Sequence, residues 1–270
     1  MSTAGADIHK LAREGQSGLA RVALQDNPTL LLSRDSDART PLQNSISAAP
    51  PSSTLVSTLL DFLPQLESDS DRTKALENQD ETGNTALISA AAAGNLEIVS
   101  LIVGAGASVT ASNNKGLTAL HYAASKGHVS VGQLLIQKGA DINIRDKANQ
   151  IPLLDISTSQ NGKLLPLLRH RAATTGALPF IRLILSSESP TKPRAPRLNA
   201  QDREGNTPLH LAIESGHAES AVALIEAGAD RDRLNRDGWR PEDPQFEGVG
   251  GIEAKRVREY IVQRCGPLEG

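Results

Sequence analysis

The stretch GLTALHYAASKGHVSVGQLLIQKGADINIRDKANQIPLL, residues 116–154, decides how the chain is read. Gly116 opens it at a tight turn. A short helix with small residues, Ala123 and Ala124, follows and ends at Gly127. A second helix, VGQLLIQ (131–137), carries apolar residues on one face and closes at Gly139. An extended finger then leads to IPL (151–153), where the unit begins again. The step is 33 residues: Gly83 to Gly116, Gly94 to Gly127, Gly106 to Gly139, Gly205 to Gly238, and Leu87 to Leu120 to Leu153. A fixed period of this size marks an array in which each unit exposes an apolar face that only its neighbour covers.

The repeated pattern has a physical reason at each position. In KGLTALH (115–121) and EGNTPLH (204–210), Gly sits where positive φ is needed. Thr118 and Thr207 are placed to cap the next helix, and Pro208 suits a first helical turn. Ala123, Ala124 and Ala212 let neighbouring helices approach. The expected fold is therefore all-α, a solenoid of helix-turn-helix units joined by hairpin-like fingers. Aromatic residues are 2% of the chain, so the core has to be built from Leu, Ile, Val and Ala.

Walking outward, residues 1–36 read as an N-terminal capping unit whose helix pair lies within 7–28. Repeat one is 37–79, with Gln43 where the other units carry His and with a polar loop extension, ESDSDRTKALENQ (67–79). Repeats two and three are 80–112 and 113–145. Repeat four, 146–201, starts at NQIPL (149–153) and resumes at HRAATTGALPFIRLIL (170–185). Between them lie 16 extra residues, 154–169, and a second extension spans about 186–197. The insert either bulges from the surface or is retained non-coding sequence. A rival parse makes LLDISTSQ and KLLPLLRH the two helices of the unit, with 170–201 a separate helix and linker. Repeat five is 202–234. A charged capping unit, 235–270, ends the array, which is read as one domain.

The 270 residues carry a net charge of −3, unevenly distributed: −3 over 1–145, +5 over 146–201 and −5 over 202–270. That balance gives no general pull toward nucleic acid or anionic lipid. Cys265 is alone, which excludes an intramolecular disulfide and a cysteine metal cluster. The N-terminus lacks the apolar core of a signal peptide, and no run of 18 apolar residues occurs. No catalytic or metal motif is present. His121, His170 and His210 recur in one slot and are read as ties to the neighbouring finger backbone. Adjacent slots lie about 10 Å apart by helix-packing distance, too far to share one ion. TKPRAPR (191–197) reads as a solvated basic linker, with nuclear import as the other reading. Trp239 is either an exposed contact or the cover of the last core layer.

These repeats resemble the ankyrin family. Within it, NPTLLLSRDSDARTPLQNSIS (27–47), NNKGLTALHYAASKGH (113–128), RDKANQIPL (145–153) and LNAQDREGNTPLHLA (198–212) look like gankyrin and its fungal counterparts, chaperones of proteasome assembly. That resemblance implies a monomeric, non-catalytic scaffold without cofactor or metal, present in cytoplasm and nucleus. Its concave face would hold the C-terminal domain of an ATPase subunit of the proteasome regulatory particle. Carried over by motif, the contact residues are Arg39, Lys126 and Tyr122, with acids Asp80, Glu81, Asp202, Glu204 and Glu214 facing partner cations. LAIES (211–215) has Ile213 where gankyrin-type proteins have the Cys of a retinoblastoma-binding element, so that activity is not implied. A generic adaptor or inhibitor in signalling or transcription is the alternative.

Overall fold

The computed structural model describes residues 7–152, 177–186, 196–244 and 251–268. They fall into two compact units, residues 1–119 and 120–270.

In the first unit, α1 (Ile8–Arg13) and α2 (Ser17–Asp26) form the opening pair. Next come α3 (Pro41–Ile46) with α4 (Ser53–Asp61), then α6 (Ala86–Ala93) with α7 (Leu96–Gly104). The first helices α1, α3 and α6 pack in one row, and α2, α4 and α7 pack in a second. Small residues make the close first row: Ala12, Ala90 and Ala91 are fully buried. Leu24, Leu55, Leu59, Leu87, Ile98 and Ile102 fill the space between rows, each contributing about 1.5–3 kcal/mol by burial.

Helix starts follow the sequence signals. Thr40 and Thr85 accept the backbone N–H three residues on, from Gln43 at 3.3 Å and Ile88 at 3.4 Å, which satisfies an otherwise orphaned donor. Pro41 stands at the first helical position, where its missing N–H costs nothing. The polar extension 67–79, read from sequence as loop, is instead largely helical: α5 (Asp69–Glu77). Ser68 caps it by accepting from Asp71 N at 3.0 Å, and Ala75 and Leu76 are buried beneath it. Its far end is pinned where Glu77 accepts Ser108 N at 2.7 Å.

The second unit holds α8 (Ala119–Lys126), α9 (Val129–Gln137), α10 (Ala177–Ser186), α11 (Pro208–Glu214), α12 (Ala218–Glu226) and α13 (Gly251–Cys265). Helix α10 packs against both α9 and α12, in the row of second helices. The insert 154–169, His170 and most of the basic loop 191–197 lie outside the described residues. The long helix α13 covers α11 and α12 with Ala254, Val257 and Ile261. Arg231 anchors the capping segment, donating to both Glu242 oxygens at 2.6 and 2.8 Å and to Gly266 O at 3.0 Å. No described helix is long and apolar enough to cross a membrane.

One contact explains how α10 is seated. Gly132 stands in the interior of α9, where glycine costs about 1 kcal/mol relative to alanine. A Cβ at 132 would overlap the ring of Phe180, which is fully buried. The glycine is the flat surface on which the ring lies. Gly132→Ala is therefore expected to lower stability by about 1–3 kcal/mol despite its better helix propensity. Phe180→Leu in that background should recover part of the loss. Urea denaturation of the full chain, comparing midpoints of the single and double variants, checks both.

Candidate partner-binding surface

Every finger in the two units is built by one local device. An Asp or Asn at its start turns a side-chain oxygen back onto the backbone. Asp35 accepts from Asp37 N and Arg39 N at 3.0 and 2.9 Å. Asp80 accepts from Thr82 N and Asn84 N, both at 2.9 Å, and Asn113 from Lys115 N and Leu117 N at 2.9 and 3.0 Å. Asp146 takes Gln150 N at 2.7 Å, Asp202 takes Glu204 N and Asn206 N at 2.9 Å, and Asn235 takes Asp237 N and Trp239 N at 3.0 Å. Short polar side chains favour such turns because they replace ladder partners with their own oxygen.

Adjacent fingers within a unit are then stitched backbone to backbone. Asn114 N donates to Thr82 O at 3.3 Å, and Arg236 N donates to Glu204 O at 3.1 Å. The approach requires glycine: a Cβ on Gly83 would sit 2.5 Å from Asn114 N, one on Gly205 2.7 Å from Arg236 N, and both have φ of +82°.

The recurring His slot supplies the next tie. At His210, Nδ1 accepts from Thr207 N at 3.2 Å while Nε2 lies 3.0 Å from Trp239 O. A carbonyl only accepts, so the ring is the neutral Nε2–H tautomer. His121 Nε2 faces Gln150 O in the same way at 3.4 Å. Gln43 reproduces the arrangement with an amide: Oε1 accepts Thr40 N at 2.8 Å and Nε2 donates to Asn84 O at 2.7 Å. Ile88, fully buried, fills the slot with packing alone. Trp239 joins this scheme through its backbone, its side chain being half-buried.

Around this frame stand the residues singled out from sequence. Arg39 is half-buried just before α3, and among the described residues its guanidinium makes no hydrogen bond or ion pair. Glu81 is exposed on the next finger, which bonds through its own N–H to Asp37 O at 3.3 Å. In the second unit, Lys126 is exposed at the end of α8, and Tyr122 is half-buried one turn earlier. Glu214 ends α11 near Glu204 and Asp202. Its carboxyl is pushed above the usual range by burial, and the charges of Glu204 and Asp202 push the same way. Asp80 and Asp202 have a second use. Their Oδ1 atoms accept backbone amides of their own fingers, which fixes the carboxylates in place on the half-buried finger starts and leaves their charge intact.

Sequence reading missed the residues that brace the fingers. Arg34 Nε donates to Ala38 O at 2.8 Å and its Nη2 reaches Gln79 O. Arg145 donates to Asn149 O and Gln201 O at 2.8 and 3.1 Å. Gln201 in turn donates to Gly205 O and Leu234 O at 2.7 and 2.9 Å, joining three fingers. The available signal was the Arg-Asp pair opening the fingers at 34–35 and 145–146.

A two-row helix stack with locked fingers and Thr-x-x-His ties is the architecture of ankyrin repeats, and the family model for ankyrin repeats (3 copies) matches residues 52–146 and 157–241. The chain belongs to the ankyrin-repeat family. It is 32% identical over 239 residues to the probable 26S proteasome regulatory subunit p28 of Saccharomyces cerevisiae, covering 87% of this chain and 91% of that protein. It is also 40% identical over 83 residues to protein phosphatase 1 regulatory subunit 27 of Mus musculus, covering 30% of this chain and 49% of that protein. A 33% identity over 98 residues links it to oxysterol-binding protein-related protein 1 of Rattus norvegicus, over 36% of this chain and 10% of that one.

Three buried histidines of the second unit share one electrostatic fate. Burial lowers His121 and His210, with the Gln150 and Trp239 carbonyls and nearby Asp residues opposing it. Burial alone lowers His217, whose two ring nitrogens have no hydrogen-bond partner among the described residues. Because the folded values lie below 6.5, the unfolded chain takes up protons first as pH falls. Their stabilising contribution is complete above 6.5 and is lost progressively below it. His210→Gln is expected to cost under about 1 kcal/mol at pH 7.5, since Gln43 shows the amide can serve, whereas His210→Ala should cost about 1–3 kcal/mol. The Gln variant should also lose less stability between pH 7.5 and 5.5 than the parent. Denaturation midpoints at the two pH values test all three expectations.

Proposed function

We propose that the chain is an assembly chaperone of the proteasome regulatory particle, holding the C-terminal domain of one of its ATPase subunits. The observation that carries this reading is the similarity to the yeast p28 subunit along nearly the full length of both chains. Ankyrin units are protein-interaction modules, and this chain is similar in the whole array rather than in a few units. The coordinates supply the charges such a role uses. Arg39 and Glu81 in the first unit, and Lys126, Glu204 and Glu214 in the second, are half-buried or exposed, as are Asp80 and Asp202, and Tyr122 lies one turn before Lys126 on α8. Glu214, disfavoured as an anion by burial and by two neighbouring acids, gains most from a partner cation. On this reading the protein acts by occupancy, blocking a surface of the ATPase until assembly is complete, and it resides in cytoplasm and nucleus.

Affinity capture of the tagged full chain with mass spectrometry should return an ATPase subunit of the regulatory particle, and its absence would remove the proposal. With that subunit in hand, Arg39→Glu and Lys126→Glu should each weaken binding by about 2–5 kcal/mol if the ion pair is desolvated. Unchanged affinity in the double reversal would show that the partner sits elsewhere.

A further inference from the structure

The first finger differs from the others in what stands behind its anchoring carboxylate. Asp35 uses Oδ1 for the two finger amides, and its Oδ2 accepts from Asn44 Nδ2 at 2.8 Å and Arg13 Nη1 at 3.2 Å. Burial raises this carboxyl, but the bonds from Asn44, Arg39 and Asp37 and the nearby His9 outweigh it and hold it below the ordinary range. The same Asn44 nitrogen lies 3.0 Å from His9 Nδ1, while His9 Nε2 lies 3.0 Å from Ser33 Oγ. Ser33 has one hydroxyl hydrogen and gives it to Leu30 O at 2.6 Å. The ring must therefore donate from Nε2 and accept at Nδ1, and the contacts along Leu30–Ser33–His9–Asn44–Asp35 each pair a donor with an acceptor in one arrangement.

We propose that His9 is a proton-operated latch on the first finger: the neutral ring holds Asn44 against Asp35, and the imidazolium releases that bond. Protonation puts N–H at Nδ1, facing the N–H of Asn44. If Asn44 keeps its orientation, two donors confront each other in a buried site. If its amide turns over, Oδ1 accepts from the ring but now opposes the Asp35 carboxylate. Relieving the first conflict by moving the amide away, like turning it over, takes one charge-assisted bond from Asp35, and the finger that presents Arg39 is held less firmly. The charged groups around the ring are Asp35 on the finger and Asp7 and Arg13 at the two ends of α1. The faces contributed by α3 and the turn Pro28–Leu32 are neutral. Burial is the largest influence and disfavours the cation, Arg13 adds to it, and Asp35 and Asp7 oppose it, leaving the ring below 6.5.

The other fingers of this unit provide an internal standard. Asp80 locks the second finger with the same backbone bonds but has no histidine behind it; its additional partner is the Thr82 hydroxyl at 2.7 Å. The consequence for binding rests on the proposed role of Arg39. The latch does not, and it can be read without any partner.

Nuclear magnetic resonance of the full chain, with labelled imidazole nitrogens, should show His9 as the Nε2–H tautomer at pH 7.5 and titrating below 6.5. Over that titration the hydrogen-exchange protection of the Asp37 and Arg39 amides, corrected for intrinsic pH dependence, should fall about tenfold. Protection at Thr82 and Asn84 should stay level. In His9→Gln, which offers the same acceptor and donor without a titrating group, the fall at Asp37 and Arg39 should vanish. An Nδ1–H tautomer, or protection at Asp37 and Arg39 that does not change while His9 titrates, overturns the proposal. So does an equal fall at Thr82 and Asn84. The wild-type titration decides the matter even if the variant does not fold.

Discussion

The side-chain oxygen that begins each finger is the constraint from which the rest of this structure follows. A finger leaves the helices, and among the described residues it has no full strand to pair with, only an isolated bridge in the first unit, Ser112 with Thr118. Its amides would be unpaired without Asp35, Asp80, Asn113, Asp146, Asp202 and Asn235. Once the oxygen has fixed the loop, the glycine of the tip can lie against the next finger. The Thr that ends the loop then meets the helix it caps, and the Gln or His one turn later meets the neighbouring carbonyl. Each step places the next, so an error at the first oxygen would travel into helix spacing and core packing. The stacking of apolar faces supplies the bulk of the stabilisation; the fingers set its register.

Much of this was legible in the sequence because it is local and periodic. The step of 33, the Thr caps, the glycines of positive φ and the His slot are each determined within a few residues, so one unit predicts the others. What escaped reading is non-local. The pairing of Gly132 with Phe180 joins residues 48 positions apart, and nothing near Gly132 signals that an aromatic ring will cover it. Helix α5 escaped because its composition is that of a solvated loop, with only Ala75 and Leu76 to bury. Its Ser68 cap is local, but the Glu77–Ser108 bond and the burial of Ala75 and Leu76 need the folded surroundings. Arg34, Arg145 and Gln201 bond to backbone carbonyls, partners that no residue pattern displays.

The candidate surface was legible only in part for a different reason. Asp at a finger start is both the residue that locks the loop and the residue expected to meet a partner cation. The sequence letter does not separate these uses, and at Asp80 and Asp202 the geometry shows the first through Oδ1 while leaving the charge for the second. Glu81 follows its locking residue by one position and Glu204 by two, and both stay exposed on the finger tips. The lock therefore has a functional side: it holds an acidic residue one or two positions on outward on a rigid turn, where a charge loses little entropy on pairing. Gln201, by joining three fingers, extends that rigidity around Glu204.

The choice of side chain in the tying slot carries a further consequence. His, Gln and Ile all occupy it here, and all are compatible with the stack, so hydrogen bonding alone does not select histidine. Gln43 gives the same two bonds without a titrating group, and Ile88 gives none. A buried His that must stay neutral makes its neighbourhood stable only above its folded value, a cost that an amide avoids. The histidines in the described part of the second unit are thus a choice for proton sensitivity or a tolerated liability. His217 leans the balance toward liability, because its unpaired nitrogens return no bond for the burial. His9 leans the other way: its ring sits in a complete chain of donors and acceptors that ends on the carboxylate organising a finger. A burial that merely tolerated histidine would not need that chain to close.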